Sequence, residues 1–230
     1  MDIIDRIYLF SLLDGAAVAL LISLWFFIGL WIERPSAAKP SVSVIMAEYR
    51  REWMRQMVTR EPRIFDAQTV ASLRQGTSFF ASTSMIAIGG ALALIGNSEQ
   101  LSGLAEDLTF DEHSAVVLEI KMMFVVVYLT NGFLKFVWAN RLFGYCSVLM
   151  GAVPNDATHK DAVPIATKAA EINITAARSF NRGLRAIYFA LAALAWLAGP
   201  IALIAAGVLT VTIIWRREFA SHSRCILLAK

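Results

Sequence analysis

Residues 186–215 form a run of 30 positions without one charged side chain. A water-exposed helix of that length does not tolerate such a run. A bilayer core about 30 Å thick is crossed by roughly 20 apolar residues in a helix, whose backbone amides must all be satisfied inside it. Three more uncharged runs precede it, at 15–32, 76–97 and 122–134. Apolar residues make up 57% of the 230 positions and charged ones 17%, with a mean hydropathy of +0.59. Soluble domains carry about 25% charged residues, so this chain lacks the polar surface a water-facing protein needs. The expectation is an all-α polytopic transmembrane bundle.

The long final run divides at Gly199-Pro200. One helix would be about 45 Å long and steeply tilted, whereas two short arms joined by a Gly-Pro turn fit with Arg185 and Arg216 reaching the headgroups. Charge placement arbitrates. Eight Lys or Arg residues lie between the first two runs and six more within 141–185, whereas 97–120 has none and carries six acids. The positive-inside rule then puts the N-terminus on the outer side of the membrane and the basic tail in the cytoplasm. That arrangement requires five membrane segments, with four spans as the alternative. The chain reads as a single integral membrane domain over 1–230. Its spans fall at about 10–32, 76–97, 118–137, 184–199 and 200–216, with cytoplasmic helical loops at 35–75 and 141–183. The acidic N-terminus, with Asp2, Asp5 and Asp14, argues against a cleaved signal peptide.

Within the first loop, Val42, Ile45, Met46, Tyr49, Trp53 and Met57 repeat at helical spacing. Arg50, Arg51, Trp53 and Arg55 make this an interfacial, lipid-binding candidate, or else a helix packed on the protein with its arginines solvated. Glu61-Pro62 ends it, and Asp66 or a neighbour starts the next helix. In the third loop Asp161 and Pro164 open a helix running to about Phe180. The second span is rich in small residues, and Thr83, Ala87, Gly89 and Ala91 make it a packing helix expected at the centre of the bundle.

Few residues point to chemistry. Cys146 and Cys225 have no CxxC partner, and no histidine lies in an apolar run, so neither disulfide, metal nor haem is expected. Nucleotide-binding and hydrolase signatures are absent, which leaves an enzyme the least supported class and no cofactor implied. The basic residues follow the membrane bias, so nucleic acid is not an expected partner. On the third span Lys121, Tyr128, Asn131 and Lys135 form one polar stripe. Such a stripe either lines a path for a small polar or anionic solute or anchors at the interfaces, with Asp14 and Glu33 as charge partners.

REWMRQMVTREPRIFDAQ at 51–68, SFFASTSM at 78–85, KFVWANRLFGYCSVLMGAVP at 135–154, NRGLRAIYFALAALAW at 181–196 and RREF at 216–219 resemble the bacterial inner-membrane proteins grouped as domain of unknown function 599. The resemblance implies a multi-pass inner-membrane protein and supplies no mechanism. Three roles remain open. They are a small transporter or channel-like homo-oligomer, a non-catalytic accessory or scaffold subunit of a larger membrane complex, and a lipid-interacting organiser of the bilayer.

Overall fold

Every regular element in the computed structural model, which describes residues 10–36, 38–97 and 115–229, is helical. In chain order these are α1 (Leu12–Glu33), α2 (Val42–Met57), α3 (Ile64–Ile95), α4 (Ala115–Ala152), α5 (Ala162–Leu194), a 3-10 turn (Ala195–Ala198), α6 (Pro200–Phe219) and α7 (His222–Leu228). Most of the acidic second loop, 98–114, falls outside the described residues. Four stretches are long and apolar enough to cross a membrane: α1, α3, α4 and Pro200–Leu228, which takes in α6 and α7. The chain is a membrane protein. α5 is not among the four, because Lys168, Glu171, Arg178, Arg182 and Arg185 interrupt all but its last turns.

Local chemistry accounts for the helix ends. Ser11 and Asp14 form a reciprocal cap at the start of α1, in which the Asp14 N–H donates to Ser11 Oγ at 3.1 Å and the Ser11 N–H donates to the Asp14 carboxylate at 3.1 Å. Ser41 caps α2 by accepting from the Val44 N–H, and its hydroxyl donates to the Ile32 carbonyl at 2.7 Å. One side chain thus starts one helix and occupies an orphan carbonyl of another. The Arg63 guanidinium donates to the carbonyls of Val58, Val153 and Pro154, just beyond the ends of α2 and α4.

The described residues fall into two compact units. The first is drawn from 1–31, 84–132 and 184–217, and the second from 32–83, 133–183 and 218–230. In the first, Ala91 packs with Leu118, Met122 and Val126 of α4. The 3-10 turn ends at Gly199, whose φ of 107° is a conformation that glycine adopts without strain. The chain then reverses: Arg217 donates to the Tyr188 hydroxyl at 2.7 Å, although 29 residues of straight helix would separate them by about 44 Å.

In the second unit, Met54, Met57 and Val58 meet Leu142, Phe143, Cys146 and Met150 of α4 and a row of alanines on α5, among them Ala162, Ala166, Ala169 and Ala176. The alanine row lets the larger side chains of the other helices approach closely.

Three expectations change. The helix starting at Asp161-Pro164 does not stop near Phe180; α5 continues through Asn181, Arg182 and Gly183 to Leu194. Gly183 is inside the helix because the ring of Phe136 occupies the place of a side chain: a Cβ there would lie 2.6 Å from it. The helix that holds the third span does not stop with the span near 137: it has 38 residues, about 57 Å, and projects well past an apolar core of about 30 Å. The second span is not central either. Only 11% of the most apolar stretch of α3 is buried, the least of the four, and Thr83, Ala87 and Gly89 are exposed while Ala91 alone of the set is buried.

Gly183→Ala is expected to lower stability by about 1–3 kcal/mol, despite alanine's better helix propensity, because the Cβ overpacks against Phe136. Thermal unfolding of the detergent-solubilised protein measures it. Adding Phe136→Leu to the same chain should restore most of the loss.

Candidate functional site

The polar residues of the first unit converge on α4. Lys121 is 3% exposed although it carries a charge on a helix apolar enough to span. Its ammonium group lies 5.9 Å from the centre of the Trp196 ring, and Trp196 Nε1 donates to Asp14 Oδ1 at 2.7 Å. Asp14 is held in turn by the Ser11 hydroxyl at 2.6 Å. Trp196 reaches this position because the 3-10 turn tightens the end of α5 just before Gly199. No carboxylate among the described residues makes a contact ion pair with Lys121, so the ring face and the more distant Asp14 balance its charge.

Two turns along α4, Tyr128 is buried among Trp25, Phe124 and Phe189, with ring centres 5.6, 5.2 and 6.2 Å away. Its hydroxyl meets no hydrogen-bond partner among the described residues. Phe124 also stands edge-on to Trp196. The result is a fixed cation and a phenol enclosed by aromatic rings, a setting in which an anion or a polar solute is attracted far more strongly than in water. Asn131 is half-buried beyond them in the same unit. Lys135, the last member of the stripe, is half-buried in the second unit, where its carbonyl accepts from the Ser179 hydroxyl at 3.0 Å.

Glu33, placed by sequence opposite Lys135, is gripped instead by Arg182, whose Nε donates at 2.9 Å and whose terminal nitrogen completes a fork. That bonding raises the Arg182 pKa, so the pair stays ionised. On α2 the four singled-out residues divide. Arg51 bridges Glu48 and Glu171, which raises its pKa, and Arg55 pairs with Glu52 at 2.9 Å on the surface. Arg50 and Trp53 turn inward. Burial lowers the Arg50 pKa, its guanidinium donates to Asn173 Oδ1, and Asn173 reaches the Cys146 sulfur at 3.5 Å. Trp53 Nε1 donates at 2.7 Å to Asp66, which also takes Arg60 and is 0% exposed. Of the apolar strip of α2, Ile45 and Met57 are buried against protein, as is Met54 beside it, whereas Met46 and Tyr49 are exposed.

Sequence reasoning passed over Trp196, Asn173 and the burial of Asp66. Trp196 lay inside the uncharged run 186–215 and Asp66 stood at a helix start after Pro62, so neither read as a buried polar contact.

Asp66→Ala strands the indole N–H of Trp53 and the guanidinium of Arg60. A loss of about 1–3 kcal/mol is expected from the indole alone. Denaturation followed by tryptophan fluorescence would register it, and Asp66→Asn, which keeps an acceptor, should lose less.

A family described as "Protein of unknown function, DUF599" matches residues 16–223, from the first turns of α1 into α7. No curated protein and no solved structure matches the chain. Lys121, Tyr128 and Trp196 all lie within the matched span, Asp14 just before it, and the chain belongs to the DUF599 family.

Proposed function

We propose that this protein is a five-segment inner-membrane protein that conducts or carries a small anionic or polar solute past Lys121. The observation that carries the reading is the enclosure of that lysine. A lysine that merely anchors a helix extends its stem so that the ammonium group reaches water and headgroups. Lys121 is 3% exposed and lies under an indole ring. Enclosing a charge without a contact partner costs several kcal/mol, and such residues in spanning helices mark solute and ion pathways. An arriving anion replaces Asp14 as the charge that Lys121 faces, and the Tyr128 hydroxyl two turns on is the next donor.

The topology proposed is a periplasmic N-terminus and a cytoplasmic C-terminus. Its support is internal to the first unit, where Asp14 near the start of α1, Lys121 near the start of α4 and Trp196 at the turn meet. That shared end is the periplasmic one by the positive-inside rule, and the reversal at Gly199 sends α6 back toward the cytoplasm. The acidic loop lies on the same outer side in this reading.

A second reading has its own observation. Thr83, Ala87 and Gly89 of α3 are exposed, and a Cβ on Gly89 or Gly90 would meet no atom within 4 Å. Small residues facing outward suit close approach by another helix, whether of a second copy or of a larger complex that this chain would scaffold. For the lipid-organising role the α2 strip divides, with Ile45 and Met57 covered by protein and Met46 and Tyr49 left exposed.

A C-terminal alkaline phosphatase fusion should be inactive and a fluorescent-protein fusion bright; the opposite pattern removes the five-segment topology. In proteoliposomes carrying the full chain, efflux of a panel of small inorganic and carboxylic anions should fall at least tenfold with Lys121→Met. Unchanged flux in a variant that assembles normally would falsify the transport reading.

A further inference from the structure

We propose that the second unit carries a phosphate-binding site between α3 and α4, formed by Arg74 and Arg141, whose placement favours the headgroup of an anionic phospholipid. Arg74 stands two residues before the uncharged run that begins at Gly76, and Arg141 follows the last lysine of the third span. Both therefore lie where spanning helices leave the apolar layer.

Asn140 brings the two helices together at this level. Its amide donates to the Arg74 carbonyl at 3.0 Å, to Thr77 Oγ1 at 3.1 Å and to Ser78 Oγ at 2.8 Å. One turn along α4 from Asn140, Gly144 leaves a flat floor. The Arg74 guanidinium lies over it, with Cζ 3.9 Å from where a Cβ would stand. Arg141 is on the same turn of α4 as Gly144. Its Nε donates to the Tyr145 hydroxyl at 2.6 Å, and the guanidinium stays 5.7 Å from the centre of that ring. The tyrosine holds Arg141 by one nitrogen and leaves its terminal nitrogens open.

Neither Arg74 nor Arg141 has a carboxylate partner among the described residues. In the same unit Arg51, Arg55, Arg60 and Arg182 are each paired with an acid. Arg74 over Gly144 and Arg141, which belongs to the same turn of α4, offer two guanidinium groups without an acid, and their planar forks match the oxygens of a phosphate. Both side chains are exposed, so a ligand reaches them. The flanking surface suits the rest of a lipid. Phe79, Trp138 and Tyr145 are exposed by 64%, 47% and 42%, a belt of aromatic residues of the kind found at headgroup depth. Basic pockets between spanning helices hold anionic headgroups in this way. The site uses neither Lys121 nor any other residue of the proposed solute path.

Native mass spectrometry of the full chain in mild detergent tests it, with phosphatidylglycerol, phosphatidylcholine and inorganic phosphate added separately and in competition. One saturable phosphatidylglycerol adduct per chain is expected, weakened tenfold or more by Arg74→Gln or Arg141→Gln and unchanged by Arg55→Gln. Arg141→Lys, which keeps the charge and loses the fork, should bind between the two. Displacement of the lipid by inorganic phosphate alone would support the phosphate site and overturn the headgroup as its occupant. Binding that is indifferent to both arginines, or equally reduced by Arg55→Gln, overturns the site. An unchanged melting temperature separates these outcomes from misfolding, since both side chains are exposed.

Discussion

A peptide group in hydrocarbon has no water to bond with, so its hydrogen bonds must close within its own helix. The four membrane-competent stretches follow from that requirement, and so does what happens at their ends. Each break exposes N–H or carbonyl groups that a specific side chain has to satisfy. Ser41, Arg63 and the Ser11–Asp14 pair do so here. The helices between these breaks are long. α4 alone has 38 residues, so its polar ends are as much a part of it as its apolar middle.

Charge is handled differently in the two units. In the second, most charges near the core meet an opposite or hydrogen-bonding partner: Arg182 with Glu33, Arg51 with Glu171, Arg60 with Asp66, Arg50 with Asn173. In the first, Lys121 is balanced by a ring face and a carboxylate beyond contact distance. The first pattern holds a structure in place. The second leaves a cation able to accept another partner, which is why the functional proposal rests on it.

Much of the fold was readable where one local signal dominates. The strip Val42, Ile45, Met46, Tyr49, Trp53 and Met57 against Arg51 and Arg55 describes α2, whose observed bounds are Val42–Met57. The DUF599 resemblance was readable too, because its strings are spread along the chain. Features that depend on distant residues were not. Asn181, Arg182 and Gly183 look like a helix end, yet Gly183 belongs inside α5 because Phe136, far away in sequence, fills its missing side chain. Small residues at 83, 87 and 89 signal close packing without saying which way they face. Glu33 was matched by depth with Lys135, and only the approach of α5 to the end of α1 brings Arg182 to it. The polar stripe was visible as a spacing, but the indole of Trp196 comes from a turn 75 positions beyond Lys121.

The two cysteines give the protein a built-in reporter. Cys225 is exposed on α7, whereas Cys146 is 0% exposed, packed among Met54, Phe143 and the α5 alanines with Asn173 against its sulfur. A thiol reagent therefore modifies one site at once and the other only when the helices around it separate. The slow phase of labelling follows the opening of that core, through the equilibrium between closed and locally unfolded forms. Stability within the membrane can thus be followed with the native residues alone, without denaturant and without an added probe.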